Sequence, residues 1–516
     1  MEFQKTIVLF GAGKSATVLI DYLLEEADSN VPGSMGWKVI IADSDRKLVE
    51  EKTNGNPYAE IFAIDITDEQ ARLRLIHKAD LVISMMPPSL HILIARDCIL
   101  LKKHLLTASY ADEEIKKLAD EVLQEDILFL CEMGLDPGID HMSAMQILDE
   151  IREEGGEVSS FKSHCGGLVA PESDNNPWHY KVTWNPRNVV MAGKAGAVYK
   201  LNGAMVTENY EELFDASRLV DYDIDDIEKF SYYPNRNSIP YIELYGLENA
   251  ETFIRTTLRN ADFMYGWKNL IDLKFTDDTF EYDTTDKNLH QFFREHLEKN
   301  GFGKWLQEKL SERFTETKEL LENLMKLMEA EEEAEKVGED IPDNFMMVNE
   351  KGDLKNIEID EIKNYAASTM AQKMHEANLI MKQLIWLGLD DESTFINKGK
   401  CSAADVLQFA LEKKLALLPG EKDMIVMLHE IDYVSNGIIK SIKSSLTVKG
   451  NDHIHTAMAK TVGLPLGIAA KLILNGTIQL RGLHVPVTKE IYAPVLEELK
   501  KHGIAFSDNR NFTGSE

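Results

Sequence analysis

Cysteine is scarce in this sequence, and its scarcity limits the classes of protein that fit. The four cysteines, Cys98, Cys131, Cys165 and Cys401, lie far apart along the chain and show no paired spacing. This argues against both a disulfide framework and a structural zinc site, because both need cysteines at short recurrent separations. We expect no metal site, and we expect a reducing compartment, the cytoplasm.

Basic residues are also in deficit. The chain has 56 Lys and Arg against 87 Asp and Glu, a formal net charge of -31. Such a field repels phosphate backbones and anionic lipid heads, so we expect neither a nucleic-acid nor a membrane partner. No stretch of about 18 uncharged apolar residues occurs, and the first residues lack the pattern of a signal peptide. The 516 residues, 44% of them hydrophobic, predict two or three domains.

Short apolar runs alternate with amphipathic stretches from residue 5 to about residue 135. The predicted strands are TIVLF, KVIIAD, AEIFAID, DLVISM, HLLTAS and DILFLCE, whose nearly continuous apolar character is typical of strands buried on both faces. Apolar residues at three- and four-residue spacing predict helices in SATVLIDYLLEEA, SLHILIARDCILLKK and ADEEIKKLADEVLQE. This alternation predicts an α/β domain with a doubly wound parallel sheet of the Rossmann type.

The pattern changes after residue 155, where turn-forming residues and tryptophan indicate a second domain. From about 250 to 420 the sequence becomes helical, and the acidic run Glu329 to Glu335 is interpreted as a solvated helix face. Past 420, two strands are predicted around Asn436 and Gly437, a dipeptide suited to the positive φ angles of a tight hairpin. The sheet of the second domain is thus expected to resume after a helical insertion.

A glycine-rich turn follows the first predicted strand. Its residues are Gly11, Ala12, Gly13, Lys14, Ser15 and Ala16. Gly11 permits the tight turn, Gly13 lets a pyrophosphate approach the backbone, and Ala16 allows close packing of helix on sheet. The pyrophosphate is expected on the amides at the start of the following helix. The turn predicts dinucleotide binding, and a glycine turn without a ligand is the alternative.

Further candidates for the nucleotide site end the next strands. Asp43 ends the second strand, where a carboxylate accepts hydrogen bonds from the adenosine ribose and repels a 2′-phosphate. NAD is therefore the predicted cofactor, with NADP possible because Arg46 lies close by. Asp65 ends the third strand and is a candidate for adenine contact. Met86 and Pro87 follow the fourth, where the nicotinamide half is expected.

Several long segments are unusual in composition: GLDPGIDHMSAM, SHCGGLVAPESDNNPWHYKVTWNPRNVV, YYPNRNSIPYIELYG, ETFIRTTLR, LPGEKDMIVMLHE and AMAKTVGLPLGIAAKLILNGTI. In this order, over almost the whole chain, they resemble one family, the glutamate-forming saccharopine dehydrogenases, also called saccharopine reductases. The chain departs from the family in a long acidic helical region at about 287 to 355 and in the loop before the second strand. Neither departure removes a motif.

The resemblance implies a three-part subunit that forms a homodimer. Its expected parts are a Rossmann domain (1–138), a substrate-binding and dimerisation α/β domain with a mixed sheet (139–250 and 421–516), and a helical insertion domain (251–420). The implied reaction oxidises the secondary amine of saccharopine to an imine, which water splits into glutamate and 2-aminoadipate 6-semialdehyde. The reverse direction is a reductive condensation.

The resemblance also implies a substrate site. Its candidate residues are Ser109, Tyr110, Asp136, Cys165, Gly166, Arg236, Asn237 and Thr257. Arg236 is suited to a bidentate clamp on a carboxylate, although a surface ion pair is its alternative. Ser109 to Asp112 can equally be a helix cap. A covalent role for Cys165 is disfavoured, because no activating base is evident beside it.

Asp136 is the first candidate for handling the amine proton, with Tyr110 and His141 behind it. Because Pro137 follows, Asp136 also matches a helix N-cap, so the residue either only caps the helix or also faces the substrate amine. His141 is predicted to be a packed or hydrogen-bonding side chain and not a metal ligand.

Two other functions fit the sequence less well. A carboxynorspermidine-type dehydrogenase of polyamine synthesis should have a more acidic pocket than the Arg236 cluster indicates. A nucleotide-binding protein without turnover would have no need for Ser109, Asp136, Arg236 and Thr257 together.

Overall fold

A computed structural model describes residues 5–224, 227–309, 344–348 and 354–513, with residues 311, 315 and 318 between them. The chain divides into two compact units. The first contains residues 1–175, 179–260 and 415–516, and the second contains 176–178 and 261–414. The acidic run Glu329 to Glu335 and most of the predicted long acidic region lie outside the described residues.

The described strands, in chain order, are β1 (Thr6–Phe10), β2 (Lys38–Asp43), β3 (Ala59–Ala63), β4 (Leu81–Ser84), β5 (His104–Thr107), β6 (Leu128–Leu130), β7 (Glu157–Val169), β8 (Ala197–Leu201), β9 (Ala204–Glu208), β10 (Leu219–Ile224), β11 (Ile227–Pro234), β12 (Thr252–Arg259), β13 (Phe280–Asp283), β14 (Asn344–Val348), β15 (Leu354–Glu358), β16 (Lys400–Ser402), β17 (Asp423–Ser435), β18 (Ile438–Lys449), β19 (Gly482–His484) and β20 (Ser507–Thr513).

The helices with both ends among the described residues are α1 (Thr17–Ala27), α2 (Arg46–Thr53), α3 (Glu69–Lys78), α4 (His91–Leu100), α5 (Glu113–Lys116), α6 (Ala119–Gln124), α7 (Ile139–Glu153), α8 (Pro186–Val190), α9 (Tyr210–Leu213), α10 (Pro240–Tyr245), α11 (Ala261–Asp272), α12 (Leu289–Lys299), α13 (Ile359–Leu384), α14 (Ala403–Lys414), α15 (Ala457–Leu474) and α16 (Lys489–Lys501).

The first unit begins with a seven-stranded parallel sheet in the order β19-β6-β5-β4-β1-β2-β3. Strand β4 is buried throughout, and β1 and β2 are buried apart from their ends, as strands covered on both faces must be. The predicted Rossmann-type sheet is confirmed. Its seventh strand, β19, comes from the far end of the chain and pairs with β6.

A second, mixed sheet of nine strands completes the first unit. Strand β7 runs through its middle, parallel to β12 and antiparallel to β17. The predicted hairpin is confirmed: β17 and β18 are joined by Asn436 and Gly437, which have φ angles of 55° and 76°. Strand β12 was expected in the helical domain, but it lies in this sheet, because its apolar residues are buried against β7.

Helix α15 connects the two sheets of the first unit. It packs against α1, where a Cβ atom at Gly463 or Gly467 would overlap Leu19 or Tyr22. Pro465 lies inside this helix. By length and composition α15 is apolar enough to span a membrane, and 67% of it is buried inside the fold, as is usual for a core helix.

The second unit contains helices α11 to α14 and two small antiparallel sheets, β13 with β16 and β14 with β15. Its aromatic core includes Phe263 stacked on Trp267 at 5.1 Å between ring centroids. The sequence HQFFREHLEK within α12 has apolar residues at three- and four-residue spacing, and Phe292, Phe293 and Leu297 are buried.

Candidate active site

The glycine-rich turn lies between β1 and α1, as the sequence predicts. Gly11 has a φ of 96°, and a Cβ atom there would lie 2.9 Å from the carbonyl oxygen of Met85. A Cβ atom at Gly13 would meet nothing within 4 Å. The backbone above Gly13 is therefore open, which fits the close approach of a dinucleotide pyrophosphate. Lys14, Ser15 and Ala16 form the helical turn that leads into α1.

Asp43, the acid at the end of β2, is hydrogen-bonded to this turn. One carboxylate oxygen of Asp43 accepts from the amide of Ala12 at 2.7 Å and the other from the amide of Asp45 at 2.9 Å. Lys52 reaches across from α2 and donates to the Thr17 hydroxyl at 2.9 Å. Burial lowers the pKa of Lys52 to about 8.

The other predicted nucleotide residues lie at the same edge of the sheet. Asp65 is exposed and accepts from the amide and hydroxyl of Thr67. Met86 is half-buried and Pro87 is exposed just beyond β4. The Sδ atom of Met86 is 3.3 Å from the Cβ position of Gly11, so the turn and the end of β4 are neighbours.

Asp136 lies in a turn after β6 and does not cap α7. The amide of Gly134 donates to the carbonyl oxygen of Pro137 at 3.0 Å, and the helix begins only at Ile139. The cap hypothesis is therefore wrong, because an extra tight turn separates Asp136 from the helix. Gly138 makes this turn possible: its φ is 147°, and a Cβ atom there would overlap the backbone of Gly134.

Asp136 belongs to a buried charge cluster. The Nη2 atom of Arg255, on β12, lies 2.7 Å from Asp136 and 2.6 Å from Asp140. The Tyr110 hydroxyl donates to the same oxygen of Asp136 at 3.1 Å. Two carboxylates thus share one guanidinium nitrogen. The side chains of Arg255 and Asp140 are 3% and 2% exposed, against 13% for Asp136, so Asp136 is the more accessible of the two acids.

The two acids have different electrostatic surroundings. Burial raises the pKa of Asp136, and the neighbouring charge of Asp140 adds to the rise, against the lowering effect of Arg255. Burial also acts to raise the pKa of Asp140, but the charges of His141 and Arg255 and the Gly138 amide hold it below its usual value. When the pair binds one proton, that proton therefore resides preferentially on Asp136.

Behind these acids lies a second buried layer. The Nε2 atom of His141 is 2.9 Å from Glu132, and its Nδ1 atom is 2.5 Å from the Tyr245 hydroxyl. His141 stacks on Tyr241 with ring centroids 5.3 Å apart, and the guanidinium of Arg255 lies 4.3 Å from the same tyrosine ring. The prediction that His141 is a packed, hydrogen-bonding side chain agrees with this geometry.

Ser109 and Tyr110 lie at the carboxyl edge of β5, beside Asp136. Ser109 contacts the Nε2 atom of His91 at 2.8 Å, and the Nδ1 atom of His91 contacts Ser84 at 2.8 Å. Burial lowers the pKa of His91 to about 4, so the imidazole is neutral near pH 7. The segment Ser109 to Asp112 was also a candidate helix cap, and Asp112 is the residue that caps α5. Its side chain accepts a hydrogen bond from the amide of Ile115 at 2.9 Å.

The remaining substrate candidates lie on the nine-stranded sheet and the turn after β11. Cys165 and Thr257 are partners in the pairing of β7 with β12, and Gly166 follows Cys165. Burial raises the pKa of Cys165, which disfavours a thiolate role.

Arg236 and Asn237 lie in the turn after β11. The Arg236 guanidinium lies 5.3 Å from the centre of the Tyr110 ring. The side chain of Asn237 accepts from the amide of Ile239.

Sequence reasoning missed Arg255, Glu132, Tyr241 and Tyr245, and it gave Asp140 no role. One signal was present: an arginine in the middle of the apolar strand β12 is almost always paired when buried. Among the described residues, no group of three or more His, Cys, Asp or Glu side chains is arranged to hold a metal ion.

Two family models match the chain. The model described as the saccharopine dehydrogenase NADP binding domain matches residues 7–128, and the saccharopine dehydrogenase C-terminal domain matches residues 134–504. Together they cover almost the whole chain. The predicted dinucleotide-binding domain is thereby confirmed.

Curated relatives fall into two groups by length. Alpha-aminoadipic semialdehyde synthase of Arabidopsis thaliana is 31% identical over 98% of this chain and 45% of its own length. The mitochondrial protein of the same name from Bos taurus is 31% identical over 98% of this chain and 48% of its own length. The chain thus spans about half the length of these relatives. Saccharopine dehydrogenase [NADP(+), L-glutamate-forming] of Saccharomyces cerevisiae is 29% identical over 97% of this chain and 98% of its own.

Two solved structures share the fold over nearly the full length. Apo saccharopine dehydrogenase (L-Glu forming) from Saccharomyces cerevisiae has a TM-score of 0.74 and 27% identity, covering 98% of this chain and 100% of the other. A homospermidine synthase from Legionella pneumophila in complex with NAD has a TM-score of 0.50 and 9% identity, covering 99% and 92%. At that identity the second likeness concerns the fold alone.

Proposed function

The chain belongs to the saccharopine dehydrogenase family, and on that premise we propose that it is a glutamate-forming saccharopine dehydrogenase of lysine metabolism. It would oxidise the secondary amine of saccharopine with NAD(P) and release L-glutamate and 2-aminoadipate 6-semialdehyde, or run the reverse condensation. The observation that carries the proposal is the cluster of Asp136, Asp140 and Arg255 at the carboxyl edge of the nucleotide-binding sheet. This edge is where open α/β sheets bind their ligands.

The chemistry needs one hydride acceptor and one proton acceptor. When bound, the nicotinamide supplies the hydride acceptor. Asp136 takes the proton that the amine nitrogen loses as the C–N bond becomes a C=N bond, and Tyr110 and Arg255 hold its carboxylate in place. Water then adds across the imine, its oxygen to the carbon and one proton to the nitrogen. Asp136 protonates that nitrogen, the carbon–nitrogen bond breaks as the hydroxyl oxygen forms the carbonyl, and the hydroxyl proton returns to Asp136, which releases it to solvent. The products are one amine and one aldehyde.

The charges of the site suit this substrate. The carboxylate oxygens of Asp136 and Asp140 beside a single guanidinium suit the amine of the substrate. Saccharopine also carries three carboxylates, for which we propose Arg236 as the principal clamp. Asn237 and Thr257 would add polar contacts, and Ser109, Cys165 and Gly166 would line the remaining wall.

Nucleotide choice is part of the proposal. The glycine turn would hold the pyrophosphate, with Asp43, Asp65, Met86 and Pro87 along the rest of the dinucleotide. Asp43 predicts NAD, whereas the Saccharomyces cerevisiae relative is named for NADP(+). We propose that the protein uses NAD or NADP, and the ratio of kcat/KM for the two nucleotides measures the preference.

The deciding experiment is a turnover assay that follows the absorbance of the reduced nicotinamide. Purified protein is given saccharopine with NAD or with NADP, and we expect reduction together with the appearance of glutamate. Turnover with a diamine and an aldehyde, but not with saccharopine, would support the polyamine alternative. Nucleotide binding without turnover of either substrate pair would support the non-catalytic alternative.

We also propose a homodimer in the cytoplasm. Large apolar side chains remain exposed near the tip of the β17–β18 hairpin, where Val434, Ile438 and Ile439 are 40%, 42% and 60% exposed. Exposed apolar groups of this kind often mark subunit contacts. Sedimentation velocity distinguishes a monomer from a dimer.

A further inference from the structure

Glu132 is held in an unusual backbone conformation next to the charge cluster. Its φ is 59°, a left-handed value that is uncommon for residues other than glycine. Such a conformation persists only where surrounding contacts fix it, and it recurs at functional sites. Here the contacts are specific: one carboxylate oxygen accepts from the amide of Ala111 at 3.1 Å, and the other contacts His141 at 2.9 Å.

The imidazole of His141 is oriented by partners on both nitrogens. Glu132 lies at Nε2 and the Tyr245 hydroxyl at Nδ1, and the ring is 0% exposed. The carboxylate of Glu132 favours a proton on Nε2, as carboxylate partners of histidine do. The Nδ1 atom also lies 3.8 Å from the Oδ2 atom of Asp140. His141 therefore connects Glu132 to Asp140.

We propose that Glu132 and His141 are positioning residues that keep Asp140 ionised and bound to Arg255, so that Asp136 alone exchanges a proton with the substrate. This inference rests on the proposed function. Without His141 behind it, Asp140 would compete with Asp136 for a proton taken up by the pair, since neighbouring buried carboxylates raise each other's pKa values. The Glu132–His141 pair removes the competition for the proton because it acts on Asp140 and not on Asp136.

Groups on several elements packed around the acids contribute to this balance. Arg255 lies on β12, Cys165 on β7 and His429 on β17, whereas Tyr241 and Tyr245 lie on α10. Tyr110 follows β5, and the Arg236 guanidinium lies near its ring. Burial keeps the pKa of each of these tyrosines and of Cys165 above its ordinary value, so all four are neutral near pH 7. Burial lowers the pKa of His429 to about 4, so it is neutral as well. Arg255 is the guanidinium in contact with both acids, and the His141 ring lies behind Asp140, with its Nδ1 atom 3.8 Å from Oδ2.

The experiment replaces His141 by glutamine, which keeps a hydrogen-bonding amide and removes the ionisable ring. The pH profile of kcat/KM is measured for saccharopine oxidation in the wild type and in His141→Gln. We expect the acid limb of the profile, which belongs to the Asp136–Asp140 pair, to move up by about one pH unit. Turnover on that limb should fall about tenfold, whereas the Kd for the nucleotide should stay within about twofold.

A second variant covers the case in which His141→Gln folds poorly. Glu132→Gln keeps the shape and removes the carboxylate that orients the His141 ring, so a smaller upward shift of the acid limb is expected. His429→Gln is the matched control, because His429 is also buried and also bonds to α7, through Ser143 at 2.8 Å. It should lower stability and leave the acid limb in place. The same pH profile of kcat/KM in the wild type and in the three variants would overturn the proposal that Glu132 and His141 are positioning residues.

A measurement independent of turnover separates this inference from the proposed function. Carbon-13 carboxyl NMR follows the titration of the aspartate pair in the holoprotein, with Asp136→Asn used to assign the signals. A shift of the pair in His141→Gln, in a protein that does not turn over saccharopine, would refute the function and support the role of His141. Normal saccharopine turnover, together with an unchanged titration of the aspartate pair in His141→Gln, would support the function and refute the role of His141.

Discussion

The Nη2 atom of Arg255 lies 2.7 Å from the Oδ1 atom of Asp136, although 119 residues separate them in the chain. The contact joins the turn after β6 to strand β12 of the nine-stranded sheet. It therefore makes the geometry of the acid depend on both sheets of the first unit.

Replacing Asp136 by asparagine should remove the proton acceptor and keep the shape of the site. We expect kcat to fall by about 10² to 10⁴ and the acid limb of the pH profile to disappear. Asp112→Asn, which alters a helix cap on the same edge, is the control and should change stability by about 1 kcal/mol or less. Near-normal turnover of Asp136→Asn with an unchanged profile would remove Asp136 from the chemistry.

Replacing Arg255 by methionine should leave two buried acids without their common partner. An uncompensated buried charge typically costs about 3–5 kcal/mol, so we expect a loss of that order in the free energy of unfolding, measured with urea. Arg46→Met is the control, because the Arg46–Glu50 pair is 59% and 50% exposed and should contribute little. A change for Arg255→Met no larger than the control would mean that the acids are neutral in the folded protein.

Arg236→Gln should act on substrate binding. The loss of a charge-assisted hydrogen bond is worth about 1.5–3 kcal/mol, which corresponds to a KM for saccharopine about 10- to 100-fold higher. The KM for the nucleotide and the unfolding free energy should stay near the wild-type values. An equal rise in both KM values would instead indicate a general distortion of the site.

Gly138→Ala and Gly437→Ala form a matched pair at positive φ. Gly437 has a φ of 76° and open space around its Cβ position, so alanine should cost about 1 kcal/mol. Gly138 has a φ of 147° and no room, so alanine should cost more than about 3 kcal/mol and reduce turnover by displacing Asp136. Thermal unfolding and the turnover assay check both; similar losses in the two variants would contradict the role of the turn.

Acid should destabilise the protein through its buried neutral histidines. Burial lowers the pKa values of His91, His296 and His429 to about 4, below the unfolded value of about 6.5. The unfolded chain therefore binds more protons between these values, so the stability present above pH 6.5 is lost as the pH falls toward 4. Each histidine should account for about 2 kcal/mol between pH 8 and pH 5. Urea unfolding of wild type and His429→Gln at both pH values tests this, and an equal pH dependence in the two proteins would contradict it.

The sequence predicted the features that depend on local pattern. The Rossmann-type sheet, the glycine turn and the Asn436–Gly437 hairpin each follow from residues close together in the chain. ADEEIKKLADEVLQE was the exception, because this predicted single helix forms the two short helices α5 and α6.

The features that depend on distant pairing could not be predicted. Arg255 acquires its role only through the parallel pairing of β12 with β7 and its contact with a turn 119 residues earlier. Asp136 was a candidate because of its sequence context, but the extra turn at Gly138 that separates it from α7 depends on backbone geometry. Glu132 and His141 needed the fold to show that they are neighbours.

Strand β19 has a consequence for the order in which the protein can be made. The ribosome releases β1 to β6 first, but their sheet receives its last strand, Gly482–His484, only after β7 to β18 have been made. Helix α15, which covers α1, is also made late. The edge of β6 thus stays unpaired until β19 is made, and an exposed strand edge invites pairing with other chains. We expect chains that stop before residue 457 to aggregate and not to accumulate as a free nucleotide-binding domain.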